Sequence, residues 1–560
     1  MMSIKKKIAS LLHSFEKTLG SLKAAVVIIT LFIISLIIGT FAESLYGTEF
    51  ASKLIYRSVP FMLLQLLLFL SIYFAAALRL PYKKRLLGFY LTHLGLITLL
   101  AGSFITYKAG IDGQTILHPN QLTAEVELTD KAKFVIQNET QGEKVSMYLP
   151  SSPFSSKVNV SHKDILVKKY IPFGERVVEW KKADSHLTSS FPSTTYFLVN
   201  AFTSQEITLS ASPLAQEFES SATLGPLTLH YLPTELYSCF ANLGPSKILV
   251  YNAKEKICFI PEERKIEIKQ TEGGKKFLAF KENNVIHAFI PEVRPFDLDE
   301  NLQPRADSPY KVFDLKIFES SPNLFLFGES LSYFSQEEDK WKTHELKRGQ
   351  SRELPWMKMT IETITHHQDL YPAHGYVSVL PIFKNNEIVK GGEKAILVEM
   401  KGQEFWVSSR FPQKVKTYPD KQGLQREGQE LRLSIENDSL QLPFSLVLKE
   451  FIMKKDPGTN NPASFESFVN VIDSRKSSKK ELAHIYMNNP LKKDDFTLYQ
   501  ASYFPLQDER GNPKEDEYGS VLTVNYDPGR PIKYAGSLLI VFGAALHFWI
   551  NRKKKEKVLL

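Results

Sequence analysis

The sequence predicts a membrane protein of mixed α and β class: four transmembrane helices, three near the N-terminus and one near the C-terminus, bracketing a large extracytoplasmic β-rich region. Three observations predict it. Four apolar runs are each long enough to cross a bilayer, the basic residues gather beside those runs, and nearly everything between residues 108 and 533 alternates in short strand-like segments.

The N-terminal segment 1–23 carries five lysines against one glutamate, and Ala24–Ala42 follows it as the first apolar run. That run exceeds the ~7–15 residues of a cleaved signal, which favours a retained anchor. Residues 43–58 form a short outside loop, Val59–Leu78 the second span, and 79–85 a basic loop with four Lys or Arg. Leu86–Tyr107 completes a three-helix bundle over 24–107. Tyr534–Ile550 is the fourth span, and the tail 551–560 adds five basic residues and one acidic.

The formal charge of +8 is therefore not evenly spread. The three flanking segments hold +12 of it, which leaves −4 for the rest. With four spans these segments share one side, and the positive-inside rule makes that side cytoplasmic. No basic patch remains for nucleic acid. Lipid is the first expected partner, and the location is the cytoplasmic (inner) membrane, multi-pass, with the 108–533 region periplasmic or otherwise extracytoplasmic.

Within 108–533, runs such as "KFVIQ", "DILVKKYI", "KILVYN", "AILVEM", "LRLSIE" and "SVLTVNY" alternate between turn-rich breaks and read as antiparallel strands. The polar, proline-containing stretch Asp297–Tyr310 is the best internal boundary. Cys239 and Cys258 are the only cysteines. They form one disulfide in an oxidising compartment or stay as two buried thiols. There is no C-x-x-C, no C-x-x-C-H, no Walker loop, no G-x-S-x-G and no H-E-x-x-H, so no catalytic residue is expected in this chain.

The chemistry-bearing residue is His93, alone in an apolar span. Eight residues past Arg85, it lies ~12 Å along the helix, in the cytoplasmic half of the membrane. At ~100° per residue, Gly88, Thr92, Gly95, Gly102, Ser103 and Thr106 fall in one small-residue stripe, and His93 falls some ~140° away among Phe89, Leu96, Ile97, Leu100 and Phe104. An ionisable side chain within a span is a functional candidate, and one imidazole on a bulky face invites a metal or a macrocycle. His547 differs: it shares a stripe with Gly536, Ile540 and Gly543, a setting that favours an interhelical contact over ligation.

These segments also resemble a family. "IIGTFAESLYGTEFASKLIYRS" (37–58), "LRLPYKKRLLGFYLTHLGLITLLAGSFITYKAGIDG" (78–113), "LPFSLVLKEFIMKKDPGTNNPASFESFVNVID" (442–473), "IYMNNPLKKDDFTLYQASYFP" (485–505) and "LTVNYDPGRPIKYAGSLLIVFGAAL" (522–546) resemble the ResB proteins of system II cytochrome c biogenesis. The resemblance implies a non-catalytic or co-catalytic subunit of a cytochrome c synthase. It would work beside the CcsA haem-handling subunit, with apocytochrome c as client. It implies His93 as an axial ligand to a haem b held transiently. His547, the second haem-binding candidate, matches no ligand position of the family and rests only on its place in the fourth span. The partner's W-W-D signature is absent, since Trp180, Trp341, Trp356, Trp406 and Trp549 stand singly. The alternative is a non-catalytic scaffold or assembly factor whose β region binds another extracytoplasmic partner.

Weaker candidates remain. "THHQDLYPAHGY" brings His366, His367, Asp369 and His374 into one stretch, but the spacing fits no metal motif and favours a histidine-rich surface loop. His118 reads as a solvated loop position that could meet haem at the outer surface. Tyr499 and Tyr503 could touch a client, although strand aromatics are more often core.

Overall fold

A computed structural model describes residues 13–558 apart from 140, 183–191, 213, 216, 244–247, 260–266, 271–273, 275, 283–284, 291–296, 300–302, 306–307, 385–386, 418–428, 457–461, 474, 476–479 and 509–512. Residues 1–12 of the basic N-terminal segment thus lie outside the described residues. The chain divides into two compact units, one formed by residues 1–175 and 376–560, the other by 176–375. Asp297–Tyr310 lies within the second.

All four apolar runs are helices of the first unit, long and apolar enough to cross a membrane: α1 (Leu22–Tyr46), α2 (Val59–Ala77), α3 (Leu87–Ala109) and α4 (Arg530–Val558). Their starts follow capping chemistry. The Ser21 hydroxyl accepts from the Ala24 N–H, and the Ser58 hydroxyl accepts from Phe61 N–H ahead of a proline in the first turn. α1 stops at Gly47, whose φ of +83° breaks the helical path. α4 is longer than its apolar run because it continues through the basic tail to Val558.

The 43–58 segment is mostly helical: α1 extends to Tyr46, then come a turn at Thr48–Ala51 and a π-helical stretch at Ser52–Tyr56. Phe50 and Ala51 are buried, and Phe50 meets Phe173 edge-on at 5.4 Å between ring centres. Lys53 pairs with Glu49 at 2.8 Å, and Lys394 donates to Thr129 O at 3.1 Å and Asn437 Oδ1 at 3.0 Å, with Glu49 3.4 Å away. Burial pushes the Lys394 ammonium below the ordinary lysine range, against the attraction of Glu49. The segment is docked on the β region, not looped free of it.

The β region of this unit is built on a large sheet. Its strands are β1 (Ile111–Leu117), β2 (Leu122–Asn138), β3 (Lys144–Tyr148), then after two strands of a neighbouring sheet, β4 (Ser156–His162) and β5 (Ile165–Lys182), a separate hairpin β6 (Ile382–Lys384) and β7 (Glu387–Lys390), and β8 (Glu393–Met400) and β9 (Gln403–Ser408). β10 (Gln413–Thr417), β11 (Gln429–Lys455), β12 (Pro462–Ile472), β13 (Lys480–Ile485), β14 (Leu491–Lys493), β15 (Phe496–Gln507) and β16 (Pro513–Tyr526) follow. Among the described residues the large sheet has the order β13-β12-β11-β2-β1-β16-β15-β14, with β3 on β2 and β10 on β11. One core gathers Leu117, Phe444, Leu446, Val469, Leu498 and Val524 within it. A second, with Phe134, Val167, Tyr170, Ile396 and Val407, joins it to the neighbouring sheet.

The second unit is also β-rich, around Tyr196, Leu229, Tyr231, Leu324, Leu331 and Ile361. Most pairs are antiparallel as predicted, but Asn323–Leu326 runs parallel to Leu227–Tyr231. Parallel neighbours need a long crossover, and residues 232–322 supply one. Within that crossover Cys239 and Cys258 are joined in a disulfide across a separation of 19 residues, which settles the alternative left open by the sequence. In the chain-entropy view a loop of this size adds about 3 kcal/mol.

Candidate functional site

The small-residue stripe of α3 is the seat of the site. Gly88, Gly95 and Gly102 are all buried, and each faces α4 in antiparallel register. A Cβ at Gly95 would stand 2.7 Å from Gly536 O and from Ile540 N, and one at Gly102 would stand 3.0 Å from Gly529 O. On the opposite helix a Cβ at Gly543 would meet the Thr92 amide nitrogen at 2.5 Å and one at Gly536 the Leu99 amide nitrogen at 2.7 Å. Glycines seven apart on both helices let the two backbones touch, the close approach that membrane helices use in place of a hydrophobic driving force.

This pair passes straight into the sheet. β1 follows α3 after Gly110, β16 precedes α4, and the strands pair from Ile111 opposite Tyr526 to Leu117 opposite Ser520. Asp527 locks the junction, accepting from the Thr106 hydroxyl at 2.5 Å and from Lys533 Nζ at 2.8 Å. Burial alone would raise the Asp527 carboxyl, but those donors and Arg530 hold it below the usual carboxylate range. Asn525 Nδ2 donates to Asp112 Oδ1 at 2.6 Å beside it.

His93 stands off the stripe and is half-buried. Its Nδ1 lies 2.9 Å from the Phe89 carbonyl, one turn earlier. A carbonyl only accepts, so Nδ1 carries the proton, and in the neutral ring the Nε2 lone pair is left for another partner. The imidazole lies against the Phe89 ring, centres 3.8 Å apart, and the Arg79 guanidinium covers that ring at 4.7 Å. Further along α3, Leu94 and Phe104 are exposed, so the surface flanking the stripe is apolar and open. A backbone-fixed tautomer, a free ring nitrogen and apolar flanks suit an axial ligand to haem iron, and the Arg79 charge suits the carboxylates such a macrocycle carries.

His547 lies where its own backbone, N and Cα, is what Gly88 meets, and its side chain is exposed. It sits at the same end of the α3–α4 pair as His93, as a contact residue of the helix interface.

The outer candidates separate. His366 Nδ1 bonds the buried Thr194 hydroxyl at 2.8 Å, and Thr194 also bonds Tyr231 at 2.8 Å. His367 lies against Trp180, and His374 pairs with Glu217 at 3.1 Å while stacked on Phe218. Burial lowers the pKa of all three. The stretch forms two strands, Thr360–His367 and Leu370–Ser378, not a loop, and Asp369 is exposed between them. Alternation points neighbouring side chains to opposite faces, which disperses the histidines. Among the described residues no group of three or more His, Cys, Asp or Glu is placed to hold a metal ion.

His118 is exposed at the far end of β1, its ring 5.0 Å from that of Phe504. Tyr499 is exposed, whereas Tyr503 enters a half-buried ring cluster with Phe451, Phe465 and Tyr518 at centre distances of 5.3–5.7 Å along its own contacts. Sequence reading missed Phe451 and Phe465; their only signal was a pair of aromatics flanking the turn-rich "KKDPGTNNPAS".

That cluster lies largely within residues 421–517, which match the ResB-like family. The match to the ResB-like family covers this part of the chain and not the rest of its 560 residues. It is 31% identical over 147 residues to Protein NrfI of Wolinella succinogenes, across 26% of this chain and 15% of NrfI. The chain thus matches only a small part of the length of that relative. In structural terms the ResB-like segment supplies β11 to β15, the strands that pair outward from β1, β2 and β16 and so stand on the α3–α4 pair.

Proposed function

We propose that this ResB-like protein serves cytochrome c biogenesis as the membrane subunit of a system II cytochrome c synthase. Its four helices cross the cytoplasmic membrane, its β region lies outside, and it assists haem delivery to apocytochrome c beside a CcsA-like haem-handling subunit. The observation that carries the haem part is His93, whose Nδ1 proton is committed to Phe89 O and whose Nε2 therefore remains available on an apolar face. Haem, were it bound, would supply an iron for an imidazole to ligate. Of the chain's own residues, His93 would hold it, the Phe89 carbonyl fixes the imidazole tautomer, the apolar side chains of α3 would offer a hydrophobic surface, and Arg79 would offer positive charge to carboxylates.

Sidedness is supported in three ways. The basic segments flank the helix ends expected inside. The 43–58 segment docks on the β region, which keeps both on one side of α1 and α2. The Cys239–Cys258 disulfide suits an oxidising compartment.

The test is the absorption spectrum of the full chain purified with and without the haem-handling subunit. A Soret band in the complex supports the synthase reading. No band in either preparation would leave the scaffold reading, with histidines serving only helix packing.

A further inference from the structure

The hairpin of β6 and β7 stands apart from the other sheets of its unit: among the described residues its two strands pair only with each other. An isolated two-stranded hairpin is marginal in water. This one also leaves Leu380, Ile382, Ile388 and Val389 exposed, Val389 at 60%. Strand alternation sends Ile388 and Val389 to opposite faces, so this two-stranded element exposes apolar side chains on both of its faces, which need an apolar cover.

Its position says what the cover is. Strand β6 touches α1, and the Phe383 ring would stand 3.3 Å from a Cβ placed on Gly47, the residue that ends α1. The last turns of α1 expose Phe41 and Leu45, so the hairpin's apolar surface continues that of a membrane-spanning helix at the level where the helix leaves the bilayer. Lys384 and Lys390 flank the patch, with Lys390 held 3.0 Å from Glu175. Apolar side chains framed by basic ones at a helix end are the composition of an interfacial element.

We infer that the strands β6 and β7 rest in the outer interfacial layer of the bilayer beside the end of the first membrane helix, where lipid covers Leu380, Ile382, Ile388 and Val389. They anchor the β region to the membrane at a point separate from the α3–α4 pair. The inference rests on the membrane placement proposed above and is independent of haem.

The test uses the full chain in lipid nanodiscs containing phosphatidylcholine and phosphatidylglycerol. A polarity-sensitive fluorophore is attached at Val389→Cys; the two native cysteines are bonded to each other and do not compete. The expected result is a blue-shifted emission, strong quenching by a nitroxide carried on the lipid near its headgroup, and a several-fold weaker quenching by aqueous iodide than at Leu122→Cys. Leu122 is exposed beyond the far end of β1, roughly 20 Å from α3 at ~3.3 Å per residue. Ile388→Cys gives a second reporter should the first variant fold poorly. Iodide quenching equal to that at Leu122→Cys overturns the inference, as does protection from both quenchers, which would mean a second copy of the chain covers the patch. Ile34→Cys, mid-way along α1, keeps the two levels apart. If it is quenched by lipid nitroxides and Val389→Cys is not, the hairpin reading alone fails. If neither is, the membrane placement fails with it.

Discussion

Replacing Gly95 by valine drives a side chain into the middle of the α3–α4 contact. Its Cβ would stand 2.7 Å from Gly536 O and Ile540 N, and ordinary contact begins at 3.4 Å. Both obstacles are backbone atoms of α4, so no rotamer change relieves them, and the helices must part by roughly 0.7 Å to restore that contact. Because the glycines at 88, 95 and 102 meet one rigid partner, separation at the middle also loosens both ends. Overpacking of this kind costs about 1–3 kcal/mol. That is roughly a 5- to 150-fold shift in the folding equilibrium. Leu94→Val changes the neighbouring, exposed position and serves as the control. The assay is unfolding in mixed micelles titrated with denaturing detergent, beside a spin-label distance between α3 and α4. Gly95→Val should unfold earlier and lengthen the distance, and Leu94→Val should do neither. Equal midpoints for the two variants would refute the glycine contact as the source of helix pairing.

Further outcomes follow from the same geometry. Phe50→Ala should destabilise the first unit by about 3–5 kcal/mol, the range for removing a buried phenylalanine, measured by thermal unfolding. Asp527 has its carboxyl held below the usual range, so its contribution is present above the unfolded carboxylate value near ~4 and is lost as pH falls through the lower folded value. Asp527→Asn should therefore lose about 1.5–3 kcal/mol at neutral pH, and the wild type and variant should converge in acid. Reporters fused at Lys83 and Lys554 should be cytoplasmic and one at Pro304 outside; a cytoplasmic signal at Pro304 would invert the proposed topology.

The helices were legible because a span is a one-dimensional pattern: length, apolarity and flanking lysines suffice. The α3 stripe was legible too, since Gly88, Gly95 and Gly102 recur at seven residues, and Gly529, just before α4, and Gly536 and Gly543 within it recur at the same interval. The docked 43–58 segment was not. "GTEFASKL" reads as a polar loop, and only tertiary partners such as Phe173 and Lys394 make Phe50 and Lys53 buried. The parallel pair in the second unit and the division at 175 and 375 were hidden for a similar reason, because strand periodicity reports burial of a face but not which strand lies beside it. At the candidate site, the position of His93 was readable from the helical projection. Its tautomer was not, because the Phe89 carbonyl that fixes it is a backbone group present at every residue.

Haem retained per mole of purified synthase complex, compared between His93→Ala and His547→Ala, tests the central claim most directly. His93→Ala removes the proposed ligand but leaves the glycine contact with α4 in place, so yield should hold while the Soret absorbance falls, with partial recovery on adding imidazole. His547→Ala should keep its haem and lose about 1 kcal/mol of helix association at most. Full Soret absorbance in His93→Ala, with yield reduced, would show that the imidazole packs helices and does not hold iron.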